Sequence, residues 1–240
     1  MKKILLIIDM HANFQSSTIF GSVSQFSGVK LVPEIPRLIL DSPLMKRGGF
    51  DIFSGIVDEF IRNSMLAEAY EQRELMIESL VSESDTEEIR GGSPRRKFLS
   101  SVGGEFQREF YHADWLIKFL RGLTTPFLHP TGTHGTYSYY SRTGDFLEIH
   151  RDIVECDVAV ITCLENKFGT DKNGGKLCLY PSRTADLLSE IKDSPEKGSV
   201  KFSLEVGQTI VFYGGIVPHA LLPVRENQTR IVSVLCYEAF

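Results

Sequence analysis

The sequence predicts an α+β chain that is mainly β, a barrel or sandwich with helices gathered ahead of it. Three observations point there. From about residue 127 onward, short runs rich in β-branched and aromatic residues follow one another, separated by glycine turns. Before that point, apolar residues recur at helical spacing. In the later part only one short helical stretch interrupts the strands. Many short strands with glycine turns and few helices are the pattern of a closed or sandwiched sheet.

In chain order, the opening apolar run Ile4–Ile8 ends at Asp9, which is too short for a signal peptide core. Asp9 itself reads as the end of a strand or a turn. From Ser54, a candidate cap, Ile56, Val57, Phe60, Ile61, Met65 and Leu66 recur at helical spacing towards Leu80, which predicts a helix over 54–80. Phe106, Phe110, Ala113, Ile117 and Leu120 predict a second helix over 105–121. Both are expected to pack on one outer sheet of the barrel, because an apolar stripe needs a partner surface. Between them, Ser82–Lys97 is acidic, then basic, with Gly91, Gly92 and Pro94, and reads as a mobile surface loop.

The expected strands are Thr136–Tyr140, Phe146–His150, Asp157–Leu164, Lys176–Tyr180, Val200–Leu204, Thr209–Tyr213 and Arg230–Tyr237. The turns between them carry Gly144, Gly174–Gly175, Gly207 and Gly214–Gly215. A short helix over Thr184–Lys192, capped by Thr184, turns Leu187, Leu188 and Ile191 inward. Two regions result: 1–126, a mostly helical support or lid, and 127–240, the β core. At 240 residues they form one integrated domain.

Composition excludes several functions. Hydrophobic residues at 42% and charged residues at 24% are ordinary for a globular chain. A net charge of −5 supplies no field for nucleic acid or anionic lipid, and no run approaches a membrane span. The cytosol is the expected compartment. Cys156, Cys163, Cys178 and Cys236 form no CxxC pair and lie in apolar contexts, so buried free thiols are expected.

The chemistry concentrates in a few residues. His150 and Asp152 are two apart, so on a strand both side chains leave the same face. His219, after the apolar run Thr209–Tyr213 and a glycine turn, is the best third ligand. Two imidazoles and a carboxylate on one face of an octahedral metal leave about three positions open. A lone histidine is more often structural, and His11, His112, His129 and His134 are read that way. Arg230 sits in an otherwise apolar strand, which argues against a surface ion pair.

Further spacings extend the pattern. Tyr140, Gly144 and His150 stand four and six residues apart, and Gly174–Gly175–Lys176–Leu177 follows. Gly207, the run Thr209–Phe212, His219, Pro223–Val224 and Arg230 complete the series. In this order and spacing, Tyr137–Phe240 resembles the Fe(II)/2-oxoglutarate-dependent oxygenase superfamily, particularly its prolyl 4-hydroxylase-like branch. The resemblance implies a double-stranded β-helix, a jelly-roll or cupin-like barrel, with supporting N-terminal helices. It implies catalytic iron held by His150, Asp152 and His219, with O2 and 2-oxoglutarate as co-substrates. Arg230 would anchor the 2-oxoglutarate carboxylate as a bidentate fork, and Tyr140 would add a hydroxyl. The implied reaction hydroxylates an unactivated C–H of an amino acid, peptide or natural-product intermediate, converting 2-oxoglutarate to succinate and CO2. The implied partner is a small-molecule or peptide substrate, with no nucleic acid and no membrane.

The sequence departs from the family pattern at Val232, where Ser or Thr is frequent; Ser233 is one residue further. Prolyl hydroxylases proper often carry Lys where Arg230 stands. Halogenating relatives replace the carboxylate, whereas Asp152 is retained. Arg151 is expected to point out of the barrel, and Tyr137, Tyr139 and Arg183 either line the pocket or pack strands. A non-catalytic β-helix binding protein is the different-class alternative, opposed by the intact His150, Asp152, His219 and Arg230. His150–Arg151–Asp152 also spells a kinase catalytic loop, but position 157 is Asp rather than Asn and no glycine-rich loop appears. The start, with Asp9, resembles isochorismatase-like hydrolases but lacks their following Lys and Cys segments.

Overall fold

The computed structural model describes residues 35–83, 88–168 and 173–239; the readings of Ile4–Ile8, Asp9 and His11 lie outside the described residues. Two single-turn helices come first, α1 (Arg37–Leu40) and α2 (Pro43–Lys46). The Ser42 hydroxyl accepts from Met45 N at 3.2 Å, and Pro43 occupies the first turn, where a missing N–H costs nothing. β1 (Phe50–Ser54) and α3 (Glu59–Glu71) follow.

The helix expected over 54–80 is shorter at both ends. Asp58, not Ser54, caps α3, its carboxylate accepting from Ile61 N at 2.8 Å. After Glu71 a tight 3-10 turn, Gln72–Leu75, leads into β2 (Ile77–Val81). Ile77 and Leu80 are three apart and continue the helical spacing by coincidence. They lie on an edge strand, 69% and 59% exposed, and cover no core. The loop expected over Ser82–Lys97 gives way to β3 (Arg96–Val102), whose first residues are basic and disguise the strand. The single helix expected over 105–121 is two, α4 (Glu105–Tyr111) and α5 (Asp114–Leu123), because Ala113 adopts extended backbone between them.

The later strands are β4 (His129–Pro130), β5 (Thr136–Tyr140), β6 (Phe146–His150), β7 (Val158–Lys167), β8 (Leu177–Leu179), β9 (Val200–Phe202), β10 (Gln208–Phe212), β11 (His219–Leu221) and β12 (Thr229–Glu238). The short helix is α6 (Leu188–Asp193). It starts after Leu187, whose N–H donates to the Glu190 carboxylate at 3.0 Å, and not at Thr184; Leu188 and Ile191 are buried as expected.

All strand pairs are antiparallel, in the order β1-β10-β7-β12-β5-β3-β6-β11-β8-β9, with β2 on β3 and β4 on β12. One face is β10-β7-β12-β5, extended by β1, and the other is β6-β11-β8-β9. β3 bridges them by pairing with both β5 and β6. This is a double-stranded β-helix. Strands β1, β2 and β3 come from before residue 127, so the region expected to be mostly helical also supplies part of the sheet.

α3 packs outside, against β7 and β12, with Met65 and Ala69 buried. Its buried Glu68 accepts from Gly104 N at 3.1 Å, Phe106 N at 2.6 Å, Gln107 N at 3.0 Å and the Tyr137 hydroxyl at 2.7 Å. One carboxylate thus joins α3, the start of α4 and β5, and it pairs the buried Gln107 N–H and Tyr137 hydroxyl.

The cysteine expectation is corrected for two of four residues. Cys156 and Cys236 form a disulfide across a sequence separation of 80, while Cys163 and Cys178 are free and buried. The antiparallel pairing of β12 with β7 sets Cys236 opposite Ala159, close to Cys156 just before β7, a proximity that spacing along the chain does not show. Among the described residues no helix is long and apolar enough to cross a membrane.

Candidate metal centre

His150 and His219 stand side by side on one face of the barrel. His150 ends β6, His219 begins β11, and the two are direct cross-strand partners with ring centroids 4.2 Å apart. Asp152 lies just past the strand, and its Oδ1 is 3.4 Å from His150 Nε2 and 3.6 Å from His219 Nε2. One ligand atom from each residue falls within 4.8 Å of the others, the spacing needed to share one ion.

Backbone carbonyls orient both rings. His150 Nδ1 lies 2.8 Å from Glu148 O and His219 Nδ1 lies 3.0 Å from Val217 O. A proton on each Nδ1 would leave both Nε2 lone pairs aimed at the common point, the usual arrangement for a ligating histidine. Burial and the neighbouring His219 hold the His150 pKa below its ordinary value. Burial raises the Asp152 carboxyl, but the two imidazoles lower it further, so it ends well below the usual carboxylate range. Both directions favour the deprotonated forms that bind a cation.

Asp152 needs room that only glycine leaves. A Cβ on Gly214 would stand 1.9 Å from Asp152 Oδ2, while Gly214 O accepts from Asp152 N at 2.9 Å.

From this triad a cavity of about 260 Å³ runs inside the barrel, between apolar walls that include Phe98, Leu221 and Val232. The same cavity is lined by Arg230 and Tyr140, cross-strand neighbours on β12 and β5. Arg230 is 1% exposed. Its Nη1 donates to Gly175 O at 2.6 Å, its Nε has no partner, and no carboxylate among the described residues pairs with it. The Gly174–Gly175 turn allows this approach: Gly175 has φ +62°, and a Cβ there would meet Gln228 Nε2 at 2.8 Å. Burial lowers the Arg230 pKa, and it pushes the Tyr140 hydroxyl up to about 12 against the opposing pull of Arg230, so Tyr140 keeps its proton at neutral pH.

The structure therefore gathers His150, Asp152, His219, Arg230 and Tyr140 around one cavity. Other candidates fall elsewhere. Tyr137 and Tyr139 face the helices, donating to Glu68 and to Ala69 O, because alternation on β5 sends odd positions outward. Arg183 is buried around α6, on Asp186, Ser194 and Glu190 O. Val232 lines the cavity, while Ser233 points the other way, its hydroxyl 2.7 Å from Gln107 Nε2. Arg151 points away from the metal, as expected. It donates to the carbonyls of Ile216, Ile89, Thr184 and Asp186 at 2.8–3.1 Å, with Glu88 O at 3.5 Å. His112 and His129 meet Thr133 O and Glu238, away from the site.

Sequence reasoning missed Ser138 and Cys236, which line the cavity. Their alternation with Tyr140 and Arg230 on β5 and β12 is the signal that places them inward.

No family model matches the chain, and no curated protein matches it. Solved structures do match. A Pseudomonas putida prolyl-4-hydroxylase is similar at 14% identity and a TM-score of 0.53, over 83% of this chain and 97% of that one. A prolyl hydroxylase from Trichoplax adhaerens, in complex with a hypoxia inducible factor oxygen degradation domain peptide fragment, is similar at 16% identity and 0.56, over 85% and 88%. HygX from Streptomyces hygroscopicus, with nickel, 2-oxoglutarate and hygromycin B bound, is similar at 13% and 0.57, over 83% and 84%. At such identities the likeness is one of fold: this chain carries the double-stranded β-helix of prolyl hydroxylases and other 2-oxoglutarate/Fe(II) oxygenases.

Proposed function

We propose that the protein is an Fe(II)- and 2-oxoglutarate-dependent oxygenase that hydroxylates an unactivated C–H of an amino acid, peptide or natural-product intermediate. Arg230 carries the reading. A guanidinium 1% exposed, with no partner for its Nε and no carboxylate beside it among the described residues, faces the same cavity as two histidines and an aspartate. An uncompensated buried cation costs several kcal/mol, which an arriving carboxylate offsets. A dicarboxylate reaching from the metal to Arg230 satisfies both ends at once.

The residues present fit such a centre. His150 Nε2, His219 Nε2 and an Asp152 oxygen would hold the iron on one face, leaving open positions for a chelating keto acid and O2. Bound iron would supply oxygen activation coupled to decarboxylation of 2-oxoglutarate to succinate and CO2. Arg230 would orient the distal carboxylate, with Tyr140 donating a further hydrogen bond. Phe98, Leu221 and Val232 would keep bulk water from the cavity. The two neighbours with bound ligands, one with a peptide fragment and one with nickel, 2-oxoglutarate and hygromycin B, support both a peptide and a small molecule as substrate classes for the fold. The cytosol belongs to the reading as its compartment; the Cys156–Cys236 disulfide opposes that part, since cytosolic disulfides are uncommon.

The test is an anaerobic titration of 2-oxoglutarate into the Fe(II)-loaded protein. A metal-to-ligand charge-transfer band is expected, and admitting O2 should release succinate. Failure to form the band with iron bound would remove the co-substrate from the reading. A band without succinate would point instead to a non-catalytic binding protein.

A further inference from the structure

Asp152 is a ligand on a loop. β6 ends at His150 and β7 begins at Val158, and the intervening segment belongs to no helix or strand. At its far end Cys156 is tied to Cys236, but next to Asp152 the apolar side chains do not anchor it: Ile153 and Val154 are 47% and 65% exposed. A ligand on such a loop keeps its geometry only if other groups hold the backbone.

Besides the bond from Asp152 N to Gly214 O and the Cys156–Cys236 disulfide, one side chain binds the carbonyls of this loop. Arg90 Nε donates to Asp152 O at 2.9 Å and to Ile153 O at 3.1 Å. Its Nη2 donates to Ile153 O at 2.6 Å and Val154 O at 2.9 Å, and its Nη1 pairs with Asp157 Oδ1 at 2.7 Å. A single guanidinium thus caps three successive carbonyls and the carboxylate that closes the loop, so the chain must curl around it. Only arginine presents donors in a fixed fork of that span. The Arg90 segment also pairs with the ligand segment directly, Gly91 N donating to Arg151 O at 3.2 Å. Space for the guanidinium is kept by Gly215, where a Cβ would stand 2.5 Å from the Arg90 Cζ. Asp157 passes the restraint on, its Oδ2 accepting from Ala239 N at 2.8 Å beyond the end of β12.

We propose that Arg90 is a positioning residue for the metal centre, fixing the backbone of residues 152–157 so that the Asp152 carboxylate meets the two imidazoles. This rests on His150, Asp152 and His219 being a metal site. Arg90 touches none of the ligand side chains and acts only through the main chain. Partners of this outer kind typically change metal affinity about 10- to 100-fold when removed.

Co(II), which gives visible d–d bands, serves as the probe, titrated into the full-length protein and its variants. The wild type is expected to bind one ion, with binding abolished by His150→Ala; no binding in the wild type would overturn the metal-site reading, and the proposal with it. With binding established, Arg90→Ala should weaken Co(II) affinity about 10- to 100-fold and shift the bands. Arg90→Lys keeps the charge but offers one compact donor group in place of the fork, so it should fall between the two. Trp115 fluorescence during thermal unfolding checks that each apo variant is folded. A purely structural role would lower the midpoint and leave the bands unchanged. A folded Arg90→Ala protein with wild-type bands and affinity within about twofold would overturn the proposal. Should that variant not fold, Arg90→Lys decides by the same criterion.

Discussion

Arg151 and Arg230 are equally buried, each 1% exposed, yet their surroundings differ in kind. Arg151 lies outside the barrel wall, where segments 88–89, 184–186 and Ile216 meet, with four carbonyls at 2.8–3.1 Å around its guanidinium. Arg230 lies inside, with one carbonyl, an orphaned Nε and a cavity in front of it. Burial alone therefore does not mark a functional charge. The number of partners separates the two: a satisfied guanidinium ties loops together, and an unsatisfied one facing a cavity fits the proposed role of anchor.

The contrast makes four predictions, in decreasing size. Arg151→Met should lower the unfolding free energy by about 3–5 kcal/mol, because it removes the shared partner of one buried and several part-buried carbonyls. A denaturant midpoint near that of the wild type would mean the loops close without it. Arg230→Met should leave the apo protein as stable as wild type or more stable, by up to about 4 kcal/mol, since it removes an uncompensated charge. The same change should weaken 2-oxoglutarate binding by about 2–5 kcal/mol, roughly 30- to 4000-fold, with metal binding retained. If instead Arg230→Met unfolds the protein while 2-oxoglutarate affinity in refolded material is intact, the two arginines are alike and the contrast fails.

The third prediction concerns the histidine–aspartate cluster. Gly214→Ala places a methyl against the Asp152 carboxylate, and Co(II) affinity should fall about 10- to 100-fold while 2-oxoglutarate contacts at Arg230 stay in place. Calorimetric metal titration reads this; unchanged affinity would show that Asp152 has another way to the ion. The smallest effect belongs to Tyr140→Phe. It deletes one hydroxyl donor worth about 0.5–3 kcal/mol, so 2-oxoglutarate affinity should drop roughly 2- to 150-fold, less than for Arg230→Met. A larger loss than Arg230→Met would make the tyrosine, not the arginine, the main anchor.

Much of the site was legible because it is carried by period-two strands and short offsets. His150 and Asp152, two apart, converge with His219 although Asp152 proves to lie past the strand end. Arg230 and Tyr140 stand opposite one another once β12 pairs with β5. Less legible was the front half, where Ile77–Val81 continued a helical spacing and Arg96–Lys97 looked like a solvated charge run. Edge strands and bridging strands need not carry a buried stripe, so their sequences bear a weaker imprint of the sheet.

The sequence by itself determined the β-rich later part, and it singled out the two histidines, the aspartate and the arginine that the fold brings to one cavity. Alternation and turn glycines are local properties, and two histidines and a carboxylate at such spacing are few enough to recognise. The tertiary structure alone decided which of two buried arginines is satisfied, that Cys156 meets Cys236, and that Arg90 holds the loop behind Asp152. Each of these depends on groups tens of residues apart being brought within bonding distance by strand pairing. No local pattern records such a meeting, because the partners share neither a periodicity nor a spacing along the chain.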